Sequence, residues 1–393
     1  MRIIGMMSGT SYDAIDAVAV DVSRDGDALA LTLLGAVSES YPDELRADVA
    51  AQLPPATSSM EQVCKLDTRI GQAFARLAAR ANDELCEGRA DLIASHGQTM
   101  FHWVDSGQVK GTLQLGEPAW IAEATGCTVV SNFRTRDVAA GGQGAPLVSL
   151  FDTLWLRGLP GMPVALNLGG IANITVASGA SVAFDTGPAN ALIDAAVTSM
   201  TGGRQHYDHD GELGARGNVS TALLTGLLAE PYYGLPAPKS TGKELFHLPY
   251  VEKAMEATGT LGLPIEDVVA TLVALTARTV ADAVRAVGGT SVVASGGGTQ
   301  NPTLMRALGD ELGMPGAAGA ELLTSDQLGL PSSAKEAAAF AVLGYLTVHN
   351  FPGTVASCTG ARHAGILGSI TPGSQGFHSP ASTVPAPASL RIQ

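Results

Sequence analysis

Asp185 stands where an apolar run, Val182-Ala183-Phe184, gives way to Thr186-Gly187-Pro188. A carboxylate at a strand end is held rigidly by its sheet and acts as a general base when a water or hydroxyl lies within hydrogen-bond reach. Asp is also a favoured helix N-cap, so both roles are open to it. The first residues carry a second chemistry. An apolar strand through Ile3 and Ile4 runs into Ser8-Gly9-Thr10-Ser11, followed by Tyr12, Asp13, Ala14, Ile15 and Asp16 and an apolar return from Ala17 to Val20. A turn of Gly, Ser and Thr lets backbone N–H groups and hydroxyls approach an anion. The carboxylates of Asp13 and Asp16 suit a divalent cation, which takes hard oxygen ligands. The stretch reads as a seat for a phosphate donor with its metal, or as an ordinary hairpin with a polar turn.

The design recurs: a strand over 164–168, a turn Gly169-Gly170-Ile171-Ala172-Asn173, and a return strand over 174–176. Asn173 either bonds a phosphate or orders its own turn. Gly296, Gly297 and Gly298 follow a strand over 292–294 and precede a helix that starts at Pro302. Such an exposed backbone suits the adenosine and ribose end of a nucleotide, or close strand–helix packing. His96 and Gln98, at the end of a strand over 92–94, have the types to bond a polyhydroxy ligand or to serve the core. Arg134 and Arg136 can bind a carboxylate or phosphate, or pair with Asp137. Glu336, in the first turn of a helix over 332–349, also complements the helix dipole. Neither glycine turn fits the GxxxxGK[ST] loop, and no GxGxxG follows the first strand.

The elements that must hold these residues read as alternating strands and helices. A helix over 59–87 has apolar residues at helical spacing and a Ser59/Gln62 capping box. Strands over 113–115 and 129–131 flank a helix over 118–125. A small-residue loop over 139–146 precedes a helix over 147–156. Pro188 is placed as the first residue of a helix over 189–200, and a long helix covers 265–287. A chain of 393 residues exceeds one typical core. We expect an N-terminal domain over 1–160, a C-terminal domain over 161–370 and a flexible Pro/Ser/Ala-rich tail over 371–393. Hydrophobic residues at 46% and charged residues at 15% exclude a disordered chain. A net charge of -14 argues against nucleic acid and anionic membrane as partners. The 4 cysteines lack CxxC spacing and read as free thiols of a reducing compartment. With no hydrophobic leader after Met1-Arg2, the expected location is cytoplasmic.

Two strand–turn–strand units, one opening each half, imply duplication. The expected class is α/β, a two-domain actin/hexokinase-like (ribonuclease H-like) fold with an ATP cleft between duplicated domains. GMMSGTSYDAIDA, SHGQT, QLGEPAWIA, FRTRDVAAGGQGAPL, LNLGGIANIT, FDTGPAN, PKSTGKELF, ATLVALTA, SGGGTQNPTLM and AKEAAAFAVLG, in this order, resemble the anhydro-N-acetylmuramic acid kinase family. The resemblance implies ATP-dependent opening and phosphorylation of 1,6-anhydro-N-acetylmuramic acid to N-acetylmuramate 6-phosphate in cell-wall recycling, with Mg²⁺. It implies Asp185 as the base that activates water. Gly9 to Asp16, Gly169, Gly170, Asn173, Gly296, Gly297, Gly298 and Asn301 are implied for ATP. His96, Gln98, Arg134 and Glu336 are implied for the sugar, Asp13 and Glu336 for the metal. It also implies a homodimer. Ala14 and Asn132 depart from the family's usual Gly and Asp. The competing readings are a kinase of another anhydrosugar such as levoglucosan, and a nucleotide-switched binding or assembly protein.

Overall fold

The structure, a computed structural model, describes residues 1–9, 11–177, 181–237, 239–242, 244–313, 319–377 and 385–393. It divides into two units: Met1–Gly158 together with Ala334–Gln393, and Leu159–Ser333. The first unit contains β1 (Arg2–Ser8), β2 (Ala14–Asp25), β3 (Ala28–Ser40), β4 (Leu92–Asp105), β5 (Gln108–Leu115) and β6 (Thr128–Ser131). The second contains β7 (Pro163–Leu168), β8 (Ile171–Val176), β9 (Val182–Pro188), β10 (Ser291–Ser295) and β11 (Glu321–Thr324). The chain then returns to the first unit for β12 (Ser369–Thr371) and β13 (Ser389–Ile392).

The two sheets share one plan. β1, β2 and β3 form an antiparallel meander, and β4 and then β6 add in parallel on the far side of β1. β7, β8 and β9 repeat the meander, and β10 and β11 add in parallel beside β7. Parallel neighbours need crossovers long enough for helices. Met60–Cys86 lies between β3 and β4, and Ile265–Ala286 between β9 and β10. This duplicated α/β arrangement is the actin/hexokinase-like class expected from the two glycine turns. Met60–Cys86 opens on the expected capping box, with Ser59 and Gln62 each bonded to the other's backbone N–H, and ends on left-handed Glu87.

Several local expectations change. Pro188 ends β9, and Asn190–Met200 follows with Ala189 at its N-cap, because β9 stays paired to β8 through Pro188. The second glycine turn is only Gly169-Gly170, so Asn173 lies within β8. β4 continues through Ser95-His96-Gly97-Gln98-Thr99 to Asp105 because the antiparallel β5 pairs with its second half. The expected tail is part of the first unit: β12 joins β6, and β13 pairs in parallel with β3 from Ser389↔Ala28 to Ile392↔Leu31. The helix Lys335–Val348, expected in the C-terminal domain, also belongs to the first unit.

That helix is apolar on every side and buried from Ala337 to Val348, as a helix central to a core must be. It lies directly on β1 because Gly5 has no side chain. A Cβ there would fall 1.8 Å from the Ala337 carbonyl oxygen and 2.8 Å from the Ala341 nitrogen. Gly344 makes the same allowance toward β4, where a Cβ would stand 2.7 Å from that of Ala94. Overpacking a filled core typically costs about 1–3 kcal/mol. We expect Gly5→Ala to lower stability by at least that much in chemical denaturation. Gly262→Ala, whose Cβ would meet nothing within 4 Å, should stay within roughly 0.5 kcal/mol of the parent.

Candidate active site

In the first unit, β1 delivers Ser8 and the turn, β4 delivers His96 and Gln98, and β6 leads through Asn132 into the helix Phe133–Ala139 that carries Arg134. Gln98 is fully buried beneath the turn. Its Oε1 accepts from Ser8 Oγ at 2.7 Å and Tyr41 Oη at 3.4 Å, and its Nε2 donates to the Gly9 and Thr99 carbonyls. It braces the turn from below instead of facing a ligand, which corrects its expected place at the sugar. Tyr12 closes the turn with an N–H donated to the Gly9 carbonyl at 3.1 Å. Thr10 lies outside the described residues. Ala14 takes extended backbone opposite Ser40, so no glycine is needed there. Ile15 points into the core.

His96 is buried, and both ring nitrogens are engaged. Nδ1–H donates to the Gly97 carbonyl, and Nε2 accepts from Arg134 Nε at 2.8 Å. Burial, and then the neighbouring guanidinium, push its pKa well below the usual range, so the ring is neutral. It orients Arg134, which also donates from Nη1 to the Gly144 carbonyl at 2.7 Å. Burial lowers the guanidinium to about 10 against the support of Glu336 and Asp137, so it stays charged at neutral pH. Asp137 fixes the loop below it, accepting from Gly144 N–H and Thr359 Oγ, both at 2.7 Å. Asn132 adopts left-handed backbone and accepts from Thr135 Oγ.

Glu336 is exposed yet closely surrounded by protein, which raises its pKa against the pull of Arg134 and Lys335. The carboxylates bearing on it are Asp16 and Asp152. Lys335 is buried and paired to Asp152 at 2.8 Å. Asp13, expected to share a metal with Glu336, is taken by Arg46 at 2.6 Å on the surface. Among the described residues no cluster of three or more His, Cys, Asp or Glu side chains could hold a metal. Asp16 with Glu336 still fits magnesium, which keeps several waters and uses one or two carboxylates with substrate phosphates.

In the second unit, Asp185 faces Asn173 across the β8–β9 ladder. Its Oδ2 accepts from Ser240 Oγ at 3.0 Å and from Thr241 N–H at 2.9 Å. Burial raises its pKa, and these two donors partly offset that. Its backbone is held as well: Tyr232 Oη donates to its carbonyl at 2.8 Å, and its N–H donates to the Lys239 carbonyl at 3.0 Å. Lys239 in turn donates to the carbonyls of Tyr232 and Tyr233. Asp185 therefore caps no helix. Residue-by-residue reading missed Ser240, Thr241 and Tyr232; the PKSTGKELF segment was the one signal for Ser240 and Thr241, and Tyr232 had none. The Gly169-Gly170 turn is tied to the helix start, its carbonyls accepting from the N–H groups of Ala189, Asn190 and Ala191. Gly296 needs its left-handed φ of 89°, and a Cβ would stand 2.5 Å from Asn167 Oδ1. At Gly297 a Cβ would meet nothing, and this residue lines a cavity of about 350 Å³ with Asn190, Asp194, Tyr207, Gln300 and Asn301. That volume suits a small ligand. Asn301 Oδ1 is occupied, accepting from Leu304 N–H at 3.0 Å.

Residues 1–373 match the family described as Anhydro-N-acetylmuramic acid kinase. The chain is 62% identical to the protein named anhydro-N-acetylmuramic acid kinase in Rhodococcus erythropolis, covering 100% of each chain. It is also 62% identical to the protein of that name in Streptomyces avermitilis, again over 100% of each. Among solved structures it is similar to component A of the Acidaminococcus fermentans (R)-2-hydroxyglutaryl-CoA dehydratase, with 14% identity, a TM-score of 0.43, and coverage of 88% of this chain and 98% of that one.

The Ser240 hydroxyl favours the ionised form of Asp185, so removing it must raise the pKa further. An NMR titration of the Asp185 carboxyl should place the midpoint of Ser240→Ala above that of the parent. An unchanged or lower midpoint contradicts this geometry.

Proposed function

The chain belongs to the anhydro-N-acetylmuramic acid kinase family, and from that premise we propose how its residues phosphorylate 1,6-anhydro-N-acetylmuramic acid. Levoglucosan, the alternative substrate, has no support among the relatives. The observation that carries the assignment of roles is the environment of Asp185. Its carboxylate is rigid, partly desolvated and held through one oxygen by Ser240 and Thr241. A carboxylate with a raised pKa is a stronger base toward water than an ordinary one.

Asp185 takes a proton from the water that attacks C1 of the sugar. As the C1–O6 bond breaks, O6 takes up the γ-phosphoryl group of ATP, which leaves N-acetylmuramate 6-phosphate and ADP. An alkoxide is a poor leaving group, and capture by phosphorus as it departs removes that difficulty. Arg134, fixed by His96 and the Gly144 carbonyl, offers its remaining N–H donors to the lactyl carboxylate. The β1–β2 turn, braced by Gln98, presents backbone to the phosphates, and the cavity beside Gly297 receives the nucleoside. Magnesium, when bound, neutralises charge on the triphosphate. Asp16 and Glu336 are the carboxylates that would hold it. No helix among the described residues is long and apolar enough to cross a membrane. Cys64, Cys86 and Cys127 carry free thiols, which supports a reducing, cytoplasmic compartment. The homodimer rests on the family resemblance alone.

Run in ¹⁸O-water with ATP and magnesium, the reaction should place one ¹⁸O at C1 of the phosphorylated sugar. Asp185→Asn should lower kcat by about 10²–10⁴-fold, the span of a lost general base, while ATP still binds. A product without the label, or near-normal turnover by the variant, overturns the assignment.

A further inference from the structure

A second cavity, of about 470 Å³, opens in the first unit between β4, β5, the end of β6 and the N-terminus of the helix Pro118–Thr125. Ser95, His96, Gln114, Asp67, Glu117 and Asn132 are among its walls. Two of these side chains carry polar atoms that the protein does not satisfy. Ser95 is 1% exposed, and its Oγ is buried without a hydrogen-bond partner. Gln114 Oε1 is in the same condition, although Gln114 Nε2 donates to Thr112 Oγ at 2.8 Å and Thr99 Oγ at 3.3 Å. A buried polar atom without a partner typically costs about 1–3 kcal/mol. Both residues that carry these atoms line the one cavity, which points to a ligand that supplies what is missing.

The chemistry of that ligand is constrained. Gln114 Oε1 accepts only, so it requires an N–H or O–H; the Ser95 hydroxyl can donate. Arg134, which bonds the lining residue His96, spends Nε and Nη1 on His96 and Gly144, and His96 itself is neutral. The carboxylates of Asp67 and Glu117 line the cavity, one accepting from Gly116 N–H and the other from Ala119 N–H. Two carboxylates repel an anionic arm. A neutral group with one donor and one acceptor fits, and a secondary amide has that pair.

Building on the kinase reading above, we propose that this cavity receives the 2-acetamido group of the anhydro amino sugar. The amide carbonyl accepts from Ser95 Oγ–H, and the amide N–H donates to Gln114 Oε1. These residues then select for the N-acetyl group. The lactyl carboxylate is kept out of the cavity by Asp67 and Glu117.

The test is calorimetric binding, without ATP, of 1,6-anhydro-N-acetylmuramic acid, its de-N-acetylated amine and levoglucosan to the parent, Ser95→Ala and Gln114→Leu. Each variant should weaken the acetamido sugar roughly tenfold, the size of about one hydrogen bond, and leave levoglucosan unchanged. Ligand-free Ser95→Ala should melt no lower than the parent, because it loses an unsatisfied hydroxyl. Equal losses for all ligands, no loss for the acetamido sugar, tightest binding of the amine, or no sugar binding by the parent overturns the assignment. Turnover measured alongside separates the two readings. Binding that follows the expected pattern without phosphoryl transfer removes the kinase mechanism and leaves the acetamido site standing.

Discussion

The backbone-to-backbone seating of the helix Lys335–Val348 on β1 at Gly5 is the constraint from which the first unit's chemistry follows. With no Cβ between them, the helix sinks to the level of the sheet, and its side chains meet residues that a normally spaced helix would miss. Phe340 packs its ring 4.7 Å from that of His96 and 5.4 Å from that of Phe133. Phe340 thus packs on the imidazole whose Nε2 accepts from Arg134 Nε. The first turn of the same helix carries Lys335 into its buried pair with Asp152 and sets Glu336 among Arg134, Lys335 and Asp16. A strongly acidic chain thus assembles a local balance of charge, in which each cation is matched by a carboxylate from another element. Burying those cations without such partners would be prohibitive.

The duplicated sheets place their chemistry at matching topological points. In open α/β sheets, ligands gather beyond the carboxyl ends of the parallel strands. Both units put a glycine turn after the first strand, at Gly9 and at Gly169. Both also put distinctive left-handed glycine backbone near where the fourth strand of the plan stops pairing in parallel with the first, at Gly97 within β4 and at Gly296 just after β10. The same frame then diverges in content. The first copy buries paired charge at Asp137, Asp152 and Lys335, while the second sets Asp185 on its third strand.

The division between what could and could not be read in the sequence follows the range of the interactions. Local patterns identified the two strand–turn–strand units, the Ser59/Gln62 capping box and the long helices, because each signal lies within a few residues. Pro188 misled because its fixed φ serves a helix start and a strand end alike, and the β8 ladder decided between them. Asn173 misled because turn residues also populate strands where a partner exists. The Pro-rich stretch hid β13, whose four residues are stable only on the edge of β3. Gln98 looked like a ligand contact because nothing nearby in sequence reveals that Ser8, Gly9 and Tyr41 close over it. The Ser240–Thr241 clamp on Asp185 spans more than fifty residues and lies beyond the reach of any local pattern.

The first unit is interrupted in the chain by the second, since Leu159–Ser333 separates its two segments. This order matters during synthesis. The second unit is contiguous and can complete its sheet while the ribosome is still at work. The first unit must wait for its central helix until Lys335–Val348 emerges, and for its outermost strand until Ser389–Ile392 does. Until then the face of β1 at Gly5 lacks the helix that covers it, and exposed apolar surface of that kind is what makes partly folded chains prone to aggregate.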